Sequence, residues 1–434
     1  MTEEAIRYVR SFLLGAVQLP YNQWESLLGY TDDPKQFSHY KSVICPSGFF
    51  DKGNYGRIPS MPLLPLKKLE GLPFLFGEPE VEEIGGTKII HADLVASAYF
   101  LLSRYEEMLR REVRDPHGRF PGKQSLPYRA GFLRHPLVDE YGLLLRRYLP
   151  EGSLPPLPRG IRFVDLSHDI DAPFLYRSWK GLARSLRDRR GIRRSLQNKF
   201  GRPENDPYYT FPQMLETDRK LTALAGNCVI SAYFKAGGGN KPFDKPRYDL
   251  DSKDLQNLLG LFKGQGLSIG LHVSYEAGLH PRRIRKEKLR LEEACGGSVS
   301  TSRHHFLCAR EPEDMEALEK AGILVDSSMG YADQIGFRLG TSRTVRRIDP
   351  ATGKLGSLLL EPLTIMDCTL QDEKYMQLDY GEAKKYCLEV FENIRRVGGD
   401  LCLLWHNNSL AESKDAYLGR LYADLLDALP AYLA

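Results

Sequence analysis

Residues 161–173 read Ile-Arg-Phe-Val-Asp-Leu-Ser-His-Asp-Ile-Asp-Ala-Pro, an apolar run that leads into two carboxylates. The run predicts a buried strand over 161–166, with Asp169 and Asp171 at its end. Side chains two apart on an extended chain point to the same side, so both carboxylates can face one site. Two anions so close repel each other unless a cation or a shared proton joins them. The pair therefore predicts one carboxylate for a metal and one for proton transfer, or else plain helix-capping or turn chemistry.

Strand-like apolar runs recur after residue 158 and alternate with helical patterns. The strands are predicted at 161–166, 228–234, 267–272, 299–306, 322–326, 357–360 and 401–406. The helices are predicted at 211–225, 252–265, 281–294, 312–321, 382–397 and 411–432. Such alternation is typical of a mainly parallel sheet with helices outside it. Seven units predict an incomplete or distorted barrel, whose chemistry lies at the carboxyl ends of the strands.

A proline-rich joint at 149–158 separates this region from a smaller one. We expect an N-terminal α/β domain over 1–157 and a barrel domain over 158–434. In the first domain, residues 86–90 are predicted to form a strand and residues 92–111 a helix.

Composition excludes several classes of protein. With 434 residues, 42% hydrophobic and 27% charged, the chain is globular rather than disordered, and a net charge of +4 is too small to indicate a nucleic-acid partner. We find no apolar run long enough to span a membrane, and the acidic residues near the N-terminus argue against a signal peptide. The seven cysteines are scattered without a C-x-x-C pair, which predicts reduced thiols, no zinc knuckle and a cytoplasmic location.

Titratable residues follow most of the predicted strands. They are Asp169 and Asp171 after the first strand, His272 on the third, Arg303 and His305 on the fourth, Asp326 on the fifth and His406 on the seventh. The carboxyl ends of the strands in such a sheet meet on one face of the domain. We therefore expect these side chains to converge on a single site.

A divalent metal ion would join part of this set. Asp171 and His272 offer the oxygen and the imidazole nitrogen that suit a borderline cation such as zinc. The third ligand could be Glu276, four residues after His272, or His305, or a residue that the pattern does not identify. We prefer His305, which shares a face with Arg303 if the strand is regular. A strand-end histidine held only by hydrogen bonds is the alternative for His272.

Two further residues suit proton transfer. Arg303 could reach Asp169 and keep it ionised as a base by lowering its pKa, or it could form a structural salt bridge at the barrel rim. His406 is a candidate general acid, because imidazole titrates near neutral pH and can protonate a departing amine. An ordinary buried histidine is the alternative for His406.

Together these runs resemble the polysaccharide deacetylase family, the NodB-homology esterases that remove N- or O-acetyl groups from sugars. The likeness covers about 160–434 and is most specific in five short motifs. They are L-S-H-D-I-D at 166–171, G-L-H-V-S-Y-E at 270–276, S-R-H-H-F at 302–306, D-S-S-M-G-Y at 326–331 and L-L-W-H at 403–406. The segment before residue 158 resembles the N-terminal domain found with one bacterial branch of this family, mainly in 115–129 and 135–142.

The resemblance implies a distorted (β/α)7 barrel of NodB-homology type and a divalent metal, usually zinc, that polarises the acetyl carbonyl and a bound water. The residues that it assigns by motif position are Asp169 as general base, Asp171 and His272 as metal ligands, Arg303 as the arginine that orients the base, and His406 as general acid. The chain departs from the family's H-x-x-x-H pattern, because Glu276 stands at the second histidine position.

The resemblance thus implies a metal-dependent hydrolase that removes acetyl groups from a carbohydrate in bacterial surface-polysaccharide metabolism. A backbone N–H near 233–235 is expected to stabilise the oxyanion, and the glycine-rich run 236–240 to line the sugar cleft. Two alternatives stay open. One is a non-catalytic glycan- or lipid-binding barrel that has lost its metal, which Glu276 favours, and the other is a hydrolase of another C–N bond, as in ring-opening amidohydrolases.

A basic segment follows the first strand of the barrel. It contains one acid, Asp188, and ten Lys or Arg residues, at positions 177, 180, 184, 187, 189, 190, 193, 194, 199 and 202. Apolar residues recur in it at helical spacing, namely Leu175, Trp179, Leu182 and Leu186. The pattern predicts an amphipathic basic helix. Its apolar stripe could pack on the barrel, or the helix could contact an anionic membrane or a pyrophosphate-bearing glycan carrier, which would make the protein membrane-peripheral.

Overall fold

The structure, a computed structural model, describes residues 2–188, 191–223, 226–239, 242–411 and 417–434. A four-stranded sheet and a two-stranded sheet organise the N-terminal region, residues 2–157, and a nine-stranded sheet organises the C-terminal region, residues 158–434. Both regions mix helices with parallel strands, which confirms the α/β class.

Short elements make up the N-terminal region. Its helices are α1 (Glu3–Leu14), α2 (Pro34–Phe37), α3 (Leu94–Leu102), α4 (Tyr105–Leu109), α5 (Leu126–Arg129) and α6 (Leu137–Arg147). Its strands are β1 (Leu28–Tyr30), β2 (Ser42–Ile44), β3 (Lys67–Leu69), β4 (Leu72–Phe74), β5 (Gly77–Ile84) and β6 (Thr87–Ala92). The larger sheet has the order β1-β2-β6-β5, in which only β5 is antiparallel to its neighbour, while β3 and β4 pair with each other.

The helix predicted at 92–111 is two helices, α3 and α4. Arg104 separates them with a left-handed φ of 61°, and such a residue cannot continue a right-handed helix. Its guanidinium stabilises the break, because it donates to the Glu107 carboxylate and to the backbone carbonyls of Ala309 and Arg310. The prediction could not include this contact, since it joins residues about 200 positions apart.

Strands and helices alternate in the C-terminal region. Its strands are β7 (Phe163–Ile170), β8 (Cys228–Phe234), β9 (Ser268–Val273), β10 (Thr301–His304), β11 (Val325–Asp326), β12 (Val345–Asp349), β13 (Lys354–Leu360), β14 (Ile365–Met366) and β15 (Asp400–Leu404). Its helices are α7 (Trp179–Arg187), α8 (Ile192–Phe200), α9 (Phe211–Thr222), α10 (Lys253–Gly264), α11 (Tyr275–Leu279), α12 (Ile284–Cys295), α13 (Glu316–Ala321), α14 (Asp367–Gln371), α15 (Tyr380–Val397) and α16 (Leu418–Ala428).

The nine strands lie in the order β12-β13-β11-β10-β9-β8-β7-β15-β14. All neighbours are parallel except β12 and β13, which form an antiparallel hairpin at one edge. Each of the seven predicted strands overlaps one strand of this sheet. The sequence analysis missed β12 and β14, and β14 has only two residues.

The sheet curls strongly, but its strands do not close a barrel in the described residues. Ser327, which follows β11, lies 3.4 Å (Oγ–Sγ) from Cys402 on β15, although four strands separate β11 from β15. The two edge strands of this sheet are β12 and β14, and the chain passes from β13 to β14 through residues 361–364. Judged by the strand pairing of the described residues, the predicted (β/α)7 barrel is therefore a curled open sheet.

Strand β7 runs four residues beyond the predicted end at 166. It continues because β15 and β8 flank it, so that Asp169 still pairs with Tyr233 of β8. The buried polar residues of this stretch find partners, as His168 shows, whose Nε2 lies 3.0 Å from the Asp218 carboxylate. Buried polar groups are tolerated inside a strand when they are hydrogen-bonded.

Helix ends follow local capping. The helix predicted at 382–397 begins at Tyr380, because Asp379 and Glu382 form a capping box around its first turn. The helix predicted at 411–432 ends as predicted, with α16 and a final helical turn, and residues 412–416 of the predicted range lie outside the described residues.

A buried ion pair and buried hydrogen bonds join the two regions. Glu107 accepts hydrogen bonds from Arg338, and Asp139 accepts them from Thr341 and Ser342. One apolar cluster runs through residues of both regions. The division into domains at 157 and 158 stays a prediction.

Candidate active site

Asp169 and Asp171 lie at the carboxyl end of β7. Asp169 is the penultimate residue of the strand, and Asp171 follows its last residue. Both line the same cavity, as their two-residue spacing predicted. Their nearest charged partners are imidazoles and a guanidinium, so the helix-capping alternative does not describe this pair.

Two imidazoles lie beside the Asp171 carboxylate and form with it a group of three potential ligands. His272 Nε2 and His305 Nε2 each lie 3.2 Å from Asp171 Oδ1. One ligand atom of each residue lies within 4.8 Å of the other two. Burial alone would raise the pKa of Asp171, but His305 and His272 hold it well below its usual range. The ends of β7, β9 and β10 thus bring together residues that are far apart in the chain.

The hydrogen bonding of His272 favours a cation in this group. Its Nδ1 lies 3.0 Å from the backbone carbonyl of Arg303, which can only accept, so the proton is on Nδ1. Nε2 is then the ring atom available towards Asp171 Oδ1, and both of these buried atoms lack a hydrogen-bond partner among the described residues. Two buried atoms with lone pairs at 3.2 Å are costly unless a proton or a metal cation joins them. Two imidazoles and one carboxylate are a ligand set that zinc and related divalent ions accept, so the residues fit a metal.

A strained turn directs His305 into the site. Strand β10 ends at His304, so the regular same-face spacing with Arg303 that we expected does not place the ring. Instead Phe306 and Leu307 adopt left-handed φ values of 58° and 52°. Such values are unfavourable for residues other than glycine and are often found at functional sites.

Glu276 lies outside the group around Asp171. It belongs to the first turn of α11, where its Oε1 is 3.4 Å from His280 Nε2 and 3.6 Å from Arg283 Nη1. The chain enters this helix directly after β9, and the side chain is carried away from His272. Of the two third ligands considered, the geometry brings His305 to Asp171.

Arg303 meets Asp169 inside the curled sheet. Its Nη1 donates to Asp169 Oδ1 at 3.0 Å, while Nε and Nη2 donate to the carbonyl and hydroxyl of Ser327 at 2.9 and 2.8 Å. Burial alone would lower the pKa of Arg303, but the Asp169 carboxylate together with Tyr233, Cys402 and Asp165 raises it. The pair fixes Oδ1 of Asp169, and its Oδ2 lies 3.6 Å from His272 Nε2. This carboxylate is therefore oriented towards the candidate metal group.

His406 follows β15 and is held by Asp367. Its Nδ1 lies 2.8 Å from Asp367 Oδ1, and its backbone N–H donates to Oδ2 of the same carboxylate at 2.8 Å. Its Nε2 is 3.6 Å from Asp171 Oδ2. Burial alone would lower the pKa of His406, but Asp367 raises it well above its usual value. The imidazole is thus protonated near neutral pH, as a general acid must be.

Among the described residues, two other groups could hold a metal by distance alone. They are Asp367, Cys368 and His406, and Asp165, Glu361 and Cys402. In the first, burial raises the pKa of Cys368 to about 11, and Asp367 is already bound to His406. In the second, burial raises the pKa of both Asp165 and Cys402 well above the usual values. A metal binds thiolates and carboxylates rather than their protonated forms, so the Asp171 group is the better candidate.

Asp326 does not join the site, contrary to our expectation. Its Oδ2 accepts the Ser302 hydroxyl at 2.7 Å and lies 3.7 Å from His304 Nδ1. Ser302 and His304 occupy the face of β10 opposite to Arg303, because successive residues of a strand point to opposite sides.

Lys235, just after β8, contributes a buried cation. Its Nζ lies 3.7 Å from Asp171 Oδ1, and its side chain is 4% exposed. Its backbone N–H donates to the Tyr248 hydroxyl at 2.7 Å, so the oxyanion donor expected near 233–235 is not available from Lys235. The ammonium group can share the negative charge of Asp171 with a metal or compensate it without one.

A cavity of about 250 Å³ opens onto these groups. The N-terminal region contributes Arg119 to the lining of this cavity. The Nη1 of Arg119 donates to the carbonyl of Phe306 at 2.7 Å, and its Nη2 donates to the Tyr375 hydroxyl at 3.2 Å. The volume is small beside the roughly 300–1,000 Å³ of typical ligand sites, so it suits one ring or substituent. A larger cavity of about 750 Å³, between residues 64–73 and 129–140, contains none of the groups above.

Sequence reasoning missed several residues that shape this site. Asp367 follows β14, a strand too short to give a pattern. Asp244 follows the glycine-rich run 236–240, of which residue 240 lies outside the described chain, and it accepts N–H groups from Tyr275 and Glu276. Burial alone would raise the pKa of Asp244, but hydrogen bonding, that of His305 first, lowers it to about 2. The glycine run did signal a loop near the site, though not the role of this carboxylate.

Comparisons with known proteins reach part of the chain. Residues 22–153 match DUF7033, a family of unknown function. A search of the curated proteins finds no match. The likeness that we noted for residues 115–129 and 135–142 thus falls within a family whose description assigns no activity.

Three solved structures are loosely similar. A protein assigned as a polysaccharide deacetylase from Mycobacterium smegmatis is 14% identical, with 64% of this chain and 87% of that chain covered and a TM-score of 0.41. The Puue allantoinase is 15% identical, with 64% and 88% covered and a TM-score of 0.37. A protein assigned as a polysaccharide deacetylase from Pseudomonas aeruginosa PAO1 is 13% identical, with 64% and 89% covered and a TM-score of 0.37. Similarity at this level carries no argument about function, which depends here on the site itself.

Proposed function

We propose that this protein is a metal-dependent hydrolase that removes acetyl groups from a carbohydrate. One observation supports the bound metal most strongly. Two imidazole Nε2 atoms each lie 3.2 Å from one buried carboxylate oxygen of Asp171. Asp171, His272 and His305 would hold the ion. When bound, a divalent ion there, zinc in our proposal, would polarise the carbonyl under attack and increase the acidity of water.

Asp169 suits the role of general base. Arg303 occupies its Oδ1, so Oδ2 is the atom left to accept the proton of the attacking water. This oxygen lies 3.6 Å from His272 Nε2, on the side of the candidate ligands. Because Arg303 is itself fixed by Ser327, the base keeps one orientation.

His406 suits the role of general acid. Its proton on Nδ1 is held by Asp367, and a second proton on Nε2 points to the side of Asp171 where a leaving group would depart. Transfer of that Nε2 proton to the departing nitrogen or oxygen would complete the cleavage. Asp367 then stabilises the imidazole in one orientation throughout.

The carbohydrate substrate and the acetyl group come from the sequence resemblance, and the cavity is compatible with them. Its polar lining includes Asp372, Tyr375 and Lys245, and Phe306 provides an aromatic surface. No helix of the described residues has the length and apolar character that a membrane span needs. A cytoplasmic location, and a role in surface-polysaccharide metabolism, remain proposals from the sequence.

Acetate release tests the activity. We expect purified protein loaded with zinc or cobalt to release acetate from acetylated hexosamine oligomers. Asp169→Asn should lower turnover about 1,000-fold with the metal retained, because general base catalysis contributes about 100- to 10,000-fold. Asp251→Asn, a surface carboxylate paired with Arg290, is the matched control and should be as active as the parent. Release from Asp169→Asn at the parent rate would contradict the base assignment.

Lys235 favours a second candidate function, a glycan- or lipid-binding barrel without metal. Its ammonium could neutralise Asp171 in place of an ion, at 3.7 Å. The two functions differ in one measurement. A parent protein that binds neither zinc nor cobalt, together with a Lys235→Met variant that gains binding, would favour the barrel without metal.

A further inference from the structure

The hairpin of α7 and α8 is packed with its small polar residues inside and its large apolar residues outside. Ser185 and Ser195 are fully buried between the two helices, with their hydroxyls 2.8 Å apart, and Gly181 packs against the backbone of Tyr176. The sequence had allowed the apolar stripe of α7 to pack on the barrel. The stripe is only partly covered, because Leu175 and Leu182 are half-buried while Trp179 and Leu186 remain 71% and 45% exposed.

The exposed apolar side chains form one patch. They are Trp179, Leu186, Ile192, Leu196 and Phe200, which are 71%, 45%, 71%, 45% and 61% exposed. Trp179 and Phe200 contact edge to face, with ring centroids 5.7 Å apart, so the patch continues from one helix to the other. Lys199 extends over both rings, at 5.1 and 5.2 Å. Five large apolar side chains within 22 residues are more than a folded surface normally exposes.

Basic side chains surround this patch. Lys180, Arg184, Arg187, Arg193 and Arg194 are all exposed, and the acid of the segment is Asp188. Arg189 and Arg190 lie outside the described residues. An apolar face bordered by Lys and Arg is the composition of helices that lie in the interface of an anionic bilayer. A second copy of this chain fits less well, because a symmetric contact would set the same positive charges against each other.

The hairpin is fixed beside the candidate active site. The Asn407 side chain donates to the carbonyls of Ala172 and Tyr208, which lie at the two ends of the segment, and Asn407 follows His406 in the chain. Asp206 also joins the ends, since it accepts the N–H groups of Leu175 and Tyr208. The patch is therefore held at the edge of the sheet where the strands have their carboxyl ends, which is also where the cavity lies.

We propose that the α7–α8 hairpin binds the surface of an anionic membrane, with Trp179, Ile192 and Phe200 inserted among the lipids. The binding holds the mouth of the cavity close to the bilayer. It does not depend on the metal or on the hydrolase activity, so either can fail without the other.

Vesicle binding of the full chain tests this proposal. Phosphatidylcholine vesicles with phosphatidylglycerol should bind the protein at low salt, and pure phosphatidylcholine vesicles should bind it much less. Replacing Trp179, Ile192 and Phe200 together with Ser should weaken binding more than about tenfold. Replacing Arg184 and Arg187 with Gln should weaken it about fivefold per charge. The matched control replaces three exposed apolar residues elsewhere, Ile58, Leu63 and Leu289, with Ser and should bind like the parent.

The parent protein offers a second readout that needs no variant. Trp24 and Trp405 are buried, so Trp179 is the exposed tryptophan, and its emission should shift to the blue and be quenched by brominated lipid. No vesicle binding at low salt, or equal loss in the control variant, would overturn the proposal. The proposal would also be overturned if light scattering showed that the parent is a dimer and the triple variant a monomer, because the patch would then be a subunit interface.

Discussion

The Arg119 guanidinium donates a hydrogen bond to the backbone carbonyl of Phe306 over 2.7 Å, across 187 positions of the chain. Phe306 is the first of the two left-handed residues that turn His305 towards Asp171. The N-terminal region thus stabilises the strained turn that presents a candidate metal ligand. This is a physical reason for the two regions to form one functional unit.

Loss of Arg119 should therefore weaken metal binding. Partners that orient metal ligands typically contribute about 10- to 100-fold in affinity, so Arg119→Ala should raise the Kd for zinc at least about tenfold. Competition with a chromophoric chelator measures this. Arg111→Ala, which removes a half-exposed guanidinium paired with Glu311, is the control and should bind zinc like the parent. Equal affinities in all three proteins would show that Arg119 has no part in the site.

The choice of His305 over Glu276 gives a second prediction. His305→Ala should lose zinc affinity by more than about 100-fold, because one of three ligands is removed. Glu276→Gln should keep it, since that carboxylate faces His280 and Arg283. Isothermal titration of both metal-free variants decides the question. The reverse order of affinities would return Glu276 to the ligand set.

The carboxylate behind His406 should matter for turnover rather than for binding. Asp367→Asn removes the charge that keeps the imidazole protonated, and kcat should fall at least about tenfold at neutral pH. KM and zinc content should stay unchanged, which separates this role from damage to the metal group. Asp424→Asn, at a surface pair with Lys384, is the control. A variant with full kcat would exclude His406 and Asp367 as an acid pair.

The contact between Glu107 and Arg338 predicts how stability depends on pH. Burial alone would raise the pKa of Glu107, but Arg104 and Arg338 lower it to about 2. The folded-state pKa lies below the unfolded value of about 4.3, so the stabilisation is complete above that pH and is lost as the pH falls towards 2. Its size follows from the shift and is about 3 kcal/mol.

Urea unfolding of Glu107→Gln measures this contribution. The variant should be less stable than the parent by about 3 kcal/mol or more at neutral pH, because a buried guanidinium loses its partner. The difference should shrink steadily between pH 4 and pH 2. Glu78→Gln, at an exposed pair with Lys67, should change stability by less than about 1 kcal/mol. A difference that stays constant with pH would mean that Glu107 is not ionised in the folded protein.

The sequence predicted the parallel strands well because their signal is local. Apolar runs bounded by polar residues gave seven strands, and the ends that position Asp171, His272 and His406 follow from them. Short strands without a pattern, such as β14, could not be found in this way. Asp367 was missed for the same reason.

The position of His305 shows where local reasoning fails. We chose this residue because a regular strand would place it on the face of Arg303, and the structure brings it to Asp171 through a left-handed turn instead. That turn accepts a hydrogen bond from Arg119, which lies in another region of the chain. The prediction for Asp326 was wrong for a different reason. Its strand was predicted correctly, but its side chain faces His304 instead of the site. Long-range contacts decide where such side chains point.

The central claim is that Asp171, His272 and His305 hold one metal ion, and X-ray absorption of the zinc-loaded protein tests it most directly. Each of the two other possible groups contains a cysteine, Cys368 or Cys402, whereas the proposed group contains none. We predict one bound zinc with two imidazole ligands and only nitrogen and oxygen neighbours, at about 2.0–2.2 Å. A sulfur neighbour at about 2.3 Å, or protein that binds no zinc at all, would contradict the claim.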